Sequence, residues 1–296
     1  GTGFTDTTVH TVIVHPKPTA IIDSCENICQ DIERTWTHSS WIDSLSTPNY
    51  TQQIIGTTWY IYDNLNALLY QSPTNSLTYS FNQAGNYKIV LELTSNNNCI
   101  GYDTCLIEVY TLPTADFTIL PDTTCLGNTT IFTSNSIDGS WPINTWIWNF
   151  GDSPTNIDTI TSYVDATNSY YYSGNYIVEL TVFDNFGCSD TFKDTINISP
   201  GINAFFTSNV VCQGNHTQIY GTGSSSSTDN WSWDFDLDGS EDANGELVSN
   251  IFPNSGWNVI SLTVYNYLSN DTCIDTLIDS IYVFENPTAY FIPTIE

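Results

Sequence analysis

The chain has 296 residues, with 32 Asp and Glu against four Lys and Arg, a formal net charge of −28. A surface so acidic repels phosphate backbones and anionic lipid, which excludes nucleic acid and electrostatic membrane binding. The 40% hydrophobic and 14% aromatic content can fill several cores, the length predicts two or three domains, and no run of 18 apolar residues offers a membrane span.

Strand and turn formers dominate, and no long stretch has helical apolar spacing. Four phrases divide the chain: Pro18-Thr19-Ala20, Pro113-Thr114-Ala115-Asp116-Phe117, Asn203-Ala204-Phe205-Phe206 and Pro287-Thr288-Ala289-Tyr290-Phe291. Their alanines are about 85 to 95 residues apart, the size of one β-sandwich. The expected organisation is therefore a C-terminal fragment of a preceding repeat over 1–16, whole domains over 17–111, 112–199 and 200–285, and the first strand of a following repeat over 286–296. The first fragment rests on Gly3-Phe4-Thr5-Asp6-Thr7, which matches Gly187-Cys188-Ser189-Asp190-Thr191.

Each period shows the same events in order. A cysteine comes first: Cys29, Cys125, Cys212. A tryptophan strand follows, as Trp59-Tyr60-Ile61, Trp146-Ile147-Trp148-Asn149-Phe150 and Trp231-Ser232-Trp233-Asp234-Phe235. Because strand side chains alternate, Trp146, Trp148 and Phe150 share one face, as do Trp231, Trp233 and Phe235. Such stripes predict a core, with Trp59, Trp148 and Trp233 at its centre. A glycine-led strand is next: Gly85-Asn86-Tyr87, Gly174-Asn175-Tyr176 and Gly256-Trp257-Asn258, each followed by apolar residues at every second position. A hairpin then carries the second cysteine, at Cys99, Cys188 and Cys273.

These repeats resemble the PKD domain, an immunoglobulin-like sandwich. The resemblance rests on Trp148-Asn149-Phe150-Gly151-Asp152, Gly174-Asn175-Tyr176-Ile177-Val178-Glu179-Leu180-Thr181-Val182 and the Gly187-Cys188 turn. It is strongest in the second repeat. In the third, Asn258 replaces the strand's Tyr; the first lacks the Gly-Asp turn and carries extra sequence around Trp36 and Trp41. The resemblance implies an all-β fold of tandem Ig-like sandwiches arranged end to end. It also extends to domains strung in large surface proteins of Bacteroidota-type bacteria, including gliding adhesins.

Eight widely spaced cysteines with no C-x-x-C pair predict disulfides and an oxidising, extracellular location. Equivalent positions in the repeats suggest Cys125–Cys188, Cys212–Cys273, Cys29–Cys99 and Cys25–Cys105, with other pairings open, including Cys25 with Cys99. The linkers are short, hold proline and contain no Gly/Ser tract, which favours a semi-rigid connection. Ser224-Ser225-Ser226-Ser227 is expected to be a surface loop.

One stretch is suited to a cation. Asp234, Asp236, Asp238 and Asp242 present oxygens along a turn containing Gly239, which suggests calcium. An EF-hand is excluded, because its twelfth position is Gly245 and no helices flank the loop. The competing reading is a solvated turn whose carboxylates cap backbone amides. Catalysis has little support: His10, His15, His38 and His216 are scattered, and no nucleophile elbow, zinc motif or phosphate loop occurs.

The expected function is a non-enzymatic, structural or adhesive one, as part of an extracellular stalk or filament. Its partners would be neighbouring repeats, further copies in a fibre and a surface glycan. The alternative is a carbohydrate-binding accessory module of a secreted hydrolase, using Trp36, Trp41, Trp141, Trp257, Tyr60 and Tyr62 as stacking surfaces.

Overall fold

The structure, a computed structural model, describes residues 8–10, 12–43, 51–152, 157–160, 166–223 and 230–292. Gly3–Thr7 and the four serines at 224–227 lie outside the described residues. Among the described residues there are strands, turns and bends but no helix. The fold is all-β, of tandem Ig-like type. The chain divides into two compact units. The first takes in residues 1–114, 137–144 and 183–190; the second takes in 115–136, 145–182 and 191–296.

In the first unit the strands are β1 (Ile28–Cys29), β2 (Glu33–Trp36), β3 (Ile54–Tyr62), β4 (Leu68–Ser72), β5 (Leu77–Ser80), β6 (Gly85–Ser95) and β7 (Ile100–Tyr110). One sheet has the order β1-β7-β6-β3-β4, and β2-β5 forms another. Burial alternates along β6, so Ile89, Leu91 and Leu93 face inward beside Trp59 and Ile61, all at 0% exposure. The extra sequence around Trp36 supplies the facing layer. Trp36 is buried edge-on to Phe81, with centroids 6.2 Å apart, and Thr19 and Ile22 bridge to Trp41 and His38.

The strands that follow are β8 (Phe117–Leu120), β9 (Thr123–Cys125), β10 (Thr129–Ser134), β11 (Ile143–Asn149), β12 (Ile157–Ile160), β13 (Ala166–Ser169), β14 (Gly174–Asp184) and β15 (Ser189–Ser199). They form sheets β13-β10-β8 and β12-β11-β14-β15-β9. The tryptophan strand β11 and its continuation place Trp146, Trp148 and Phe150 in the core with Val178, Leu180 and Val182. Trp148 also meets Phe117 edge-on at 5.1 Å, an arrangement that aromatic quadrupoles favour. Buried Tyr170 donates its hydroxyl to the Phe150 carbonyl at 3.1 Å. Burial pushes its phenol up to about 12, with Asn168 opposing and Asp152 reinforcing the shift.

The third set is β16 (Ala204–Ser208), β17 (His216–Gly223), β18 (Asn230–Asp234), β19 (Ala243–Asn244), β20 (Leu247–Ile251), β21 (Gly256–Tyr267) and β22 (Thr272–Val283). It forms sheets β16-β17-β20 and β19-β18-β21-β22. Its core holds Trp233, Ile260, Leu262 and Val264, with Trp231 and Phe235 packed beside it. Trp233 satisfies its indole N–H on the Gly245 carbonyl at 2.9 Å.

The residue two positions after the strand-opening glycine has the same task in all three sets. Tyr87 and Tyr176 donate their hydroxyls to the carbonyls of Gln83 and Tyr172, four residues earlier, at 2.9 and 2.8 Å. Asn258 replaces the tyrosine, and its amide reaches the Asn254 carbonyl, also four residues earlier, at 3.4 Å. The substitution weakens this bond but retains it.

Gly151 sits at φ 74°, and a Cβ there would lie 2.5 Å from the Ile177 carbonyl oxygen. Gly151→Ala therefore meets both backbone strain and a backbone clash. A loss of more than about 1 kcal/mol is expected, read as a lower urea midpoint at unchanged slope.

Candidate functional site

The two cysteine positions of each repeat have fixed places in the sheets. The first lies beside the end of the last strand, in parallel pairing: Cys29 with Tyr110, Cys125 with Ser199, Cys212 with Phe284. The following amide donates to that partner's carbonyl, Gln30 to Tyr110 at 2.8 Å, Leu126 to Ser199 at 3.1 Å and Gln213 to Phe284 at 2.8 Å. The next residue is left-handed each time, with φ 61° at Asp31, 86° at Gly127 and 80° at Gly214. The second cysteine stands at the opposite end of the last strand, at its hairpin. Cys99 and Cys188 bond their amides to Ser95 Oγ at 3.1 Å and Asp184 Oδ1 at 2.9 Å, four residues earlier.

That placement corrects three expected disulfides. The last strands have 11, 11 and 12 residues. At about 3.3 Å per residue the two cysteines of one repeat are about 35 Å apart, whereas a disulfide needs Cα atoms within about 7 Å. Cys29–Cys99, Cys125–Cys188 and Cys212–Cys273 are thus geometrically excluded. The structure instead joins Cys29 to Cys188, with Cα atoms 5.6 Å apart, and Cys125 to Cys273, at 5.5 Å. Each bond runs from the first cysteine of one repeat to the hairpin cysteine of the next. Cys25 bonds Cys105 within the first repeat, at 5.6 Å, because Cys105 lies midway along β7. Cys99 and Cys212 are unbridged.

Each staple is surrounded by further contacts. In the first unit, buried Tyr110 meets Phe186 edge-on at 4.6 Å and Trp141 at 5.7 Å. The Thr111 amide donates to Ser140 Oγ at 2.9 Å. Gly139 approaches the linker so closely that a Cβ would stand 2.4 Å from the Thr111 carbonyl oxygen. In the second unit, Asp271 Oδ2 accepts from Thr124 Oγ1 at 2.7 Å, Asn128 Nδ2 at 3.1 Å and the Cys125 amide at 3.4 Å. Partial desolvation raises the Asp271 pKa, but the donors from Thr124, Thr272, Asn128 and Cys125 outweigh it and hold the carboxyl below its usual value of 3.8.

In the acidic loop one carboxylate oxygen each of Asp234, Asp236 and Asp242 lies within 4.8 Å of the others. Asp238 is not part of that group among the described residues; its Oδ1 accepts from the Ser240 amide at 2.7 Å. The loop is also tied by its own carboxylates. Asp234 accepts from the amides of Leu237 at 2.6 Å and Gly239 at 2.9 Å, and Asp242 from Phe235 at 2.7 Å. Partial desolvation raises the Asp234 pKa, and these amide bonds lower it further than that, so the carboxyl stays ionised below its usual range. In the second repeat the corresponding Asp152 instead accepts from Asn168 Nδ2 at 3.0 Å.

Residues 110–199 match the family model of the PKD domain. The chain is a PKD-domain protein. It is similar to the PKD1 domain of the Vibrio cholerae metalloprotease PrtV, at 31% identity over 30% of this chain and 98% of that one, with a TM-score of 0.26. The PKD1 domain of Vibrio anguillarum Epp is similar at 24% identity, over 31% and 98%, with a TM-score of 0.26. Three N-terminal domains of the bacteriophage RB49 Highly Immunogenic Outer Capsid protein align at 12% identity over 91% of this chain and 100% of that one, with a TM-score of 0.40. No curated protein matches the chain. PKD and Ig-like domains are typical extracellular adhesion or accessory modules and are typically non-catalytic. Among the described residues no helix is long and apolar enough to cross a membrane.

The aromatics expected to stack on sugars fall into separate settings in this PKD protein. Trp36 is core, a correction that follows from the second sheet built around it. Trp141 packs on Tyr110. Tyr60 and Tyr62 stack on each other at 6.2 Å, with the Lys88 ammonium 4.8 Å over Tyr62. Trp257 is 71% exposed and begins a row through Tyr282 and Phe284, with ring centroids 5.1 and 4.9 Å apart. The sequence reading missed Tyr282 and Phe284; their alternation with buried Ile281 and Val283 was the available signal.

Two outcomes follow for the second staple. Cys125→Ser combined with Cys273→Ser removes a constraint spanning 148 residues, and chemical denaturation is expected to show a loss of up to about 5 kcal/mol on the chain-entropy account. The Asp271 carboxyl is depressed when folded, so its contribution is complete above the unfolded pKa and disappears as pH falls through the folded one. The stability difference between wild type and Asp271→Asn should therefore be full at pH 7 and vanish in acid below 3.8.

Proposed function

We propose that this chain is a stretch of an extracellular stalk or filament built of PKD-type repeats, with a structural and adhesive role. The observation that carries the reading is the pair of disulfides connecting the first-strand cysteines Cys29 and Cys125 to the hairpin of the next repeat. Such bonds fix successive sandwiches to each other, which suits a strut more than a set of independent modules. Disulfides also require an oxidising compartment, in keeping with secretion. The acidic surface keeps such a strut soluble and repels anionic surfaces. Electron microscopy of the native material should show elongated particles with an axial repeat; short isolated particles would overturn the reading.

A second reading, a carbohydrate-binding accessory module, is favoured by the exposed row Trp257, Tyr282 and Phe284. Retention on insoluble chitin or cellulose, lost in Trp257→Ala, is its expected signature, and no retention by the wild type removes it. We also propose calcium as the ion for Asp234, Asp236 and Asp242, which supply the hard oxygen donors it prefers. Terbium, which can replace calcium, should give luminescence on indole excitation through Trp233. Asp236→Asn with Asp242→Asn should abolish this luminescence while leaving the fold intact.

A further inference from the structure

Two staples follow one rule, and the two unbridged cysteines occupy the two positions that the rule leaves open. Cys212 matches Cys29 and Cys125 in its parallel bridge, in the amide bond of the residue after it and in the left-handed residue that follows. Cys99 matches Cys188 in its hairpin, including the bond from its amide to a side chain four residues back. Neither has a disulfide partner in its own repeat. Cys273 stands the length of β22 away from Cys212 and is bonded to Cys125, and Cys29 is bonded to Cys188.

The surroundings of both thiols give separate support. Phe284 is the counterpart of Tyr110, each being the parallel partner of its repeat's first cysteine. Tyr110 is covered by Phe186 and Trp141 and is 7% exposed; Phe284 is 47% exposed. Beside Cys212 an open concavity is lined by Val210, Val211, Asn215, Phe284 and Glu285. The concavity beside Cys125 is lined in part by Thr272, Cys273 and Ile274, the incoming hairpin. Cys99 has the complementary setting. Its thiol donates to the His15 carbonyl at 3.7 Å. His15 precedes Pro18-Thr19-Ala20 by the same interval at which Tyr110 precedes Pro113-Thr114-Ala115. The thiol thus faces the residue beside which a preceding first-strand cysteine would stand.

We propose that Cys212 and Cys99 are the outgoing and incoming halves of further staples of this kind. Cys212 bonds the hairpin cysteine of the repeat opened by Pro287-Thr288-Ala289-Tyr290-Phe291, and Cys99 bonds the first-strand cysteine of a repeat that precedes it. The bond forms by thiol–disulfide exchange with a small or protein disulfide. One cysteine thiolate attacks that disulfide and releases a thiol. The second thiolate displaces the other thiol, so two cysteine protons and two electrons leave as two reduced thiols. The site is a covalent docking point whose partner is a hairpin carrying a cysteine at its final strand and an aromatic or apolar residue to cover Phe284. This assignment stands independently of any adhesive role.

The test is disulfide mapping of the native full-length protein, alkylated without reduction and digested with pepsin, since four basic residues leave trypsin few sites. The Cys29–Cys188 and Cys125–Cys273 peptides serve as internal references. The expected result is a Cys212 peptide cross-linked to a hairpin peptide from outside these 296 residues, and Cys99 cross-linked to a first-strand peptide, with neither recovered as the alkylated thiol. Recovery of Cys212 as a thiol, its bonding to Cys273, or its bonding to Cys99 of a second copy would each overturn the assignment.

Discussion

The organisation of this chain depends on the disulfide between the first strand of one repeat and the hairpin of the next. Hydrophobic burial closes each pair of sheets, but that burial is local to its own strands. The bond from Cys29 to Cys188 spans 159 residues and that from Cys125 to Cys273 spans 148. They place Phe186 over Tyr110 in the first case and Asp271 against Thr124 and Asn128 in the second. The contacts differ in chemistry, aromatic in one and charge-assisted in the other, while the covalent register is the same. The invariant feature is thus the backbone frame around the cysteines, and the side chains at its rim are free to vary.

The sheets were legible in the sequence because their cause is local. Alternation places Trp148 and Phe150 on one face whatever the neighbouring strands do, and the same holds for Ile89, Leu91 and Leu93. The disulfides were not legible in the same way. In a repeat, equivalence of positions says that a first-strand cysteine pairs with a hairpin cysteine, but not whether within a repeat or between repeats. The decisive quantity is the length of the last strand, which separates the two positions of one repeat by several times the reach of a disulfide. That length could have been estimated from the alternating run after Gly174, which forms β14, the sheet neighbour of the last strand. Trp36 was misplaced for a related reason: a lone tryptophan outside the expected stripe carries no periodic signal, and only its pairing of β2 with β5 reveals a second layer.

The acidic loop shows why a carboxylate cluster is ambiguous. Asp234, Asp236 and Asp242 converge, yet several of their oxygens already accept backbone amides. A turn of this kind fixes the same three side chains whether its purpose is to hold an ion or to end a strand. In the second repeat Asp152 accepts from the Asn168 amide instead.

The two staple loops overlap, since residues 125–188 belong to both. A pull applied along the polypeptide takes the shortest covalent route, across the Cys25–Cys105 bond, along residues 105–125 and across the Cys125–Cys273 bond, and the remaining residues between Cys25 and Cys273 cannot add length even when their sheets open. At about 3.5 Å per extended residue, these two bonds together withhold on the order of 800 Å of contour. Under tension such a chain would yield little and recover its folded state from a short excursion, behaving as a tether of nearly fixed span.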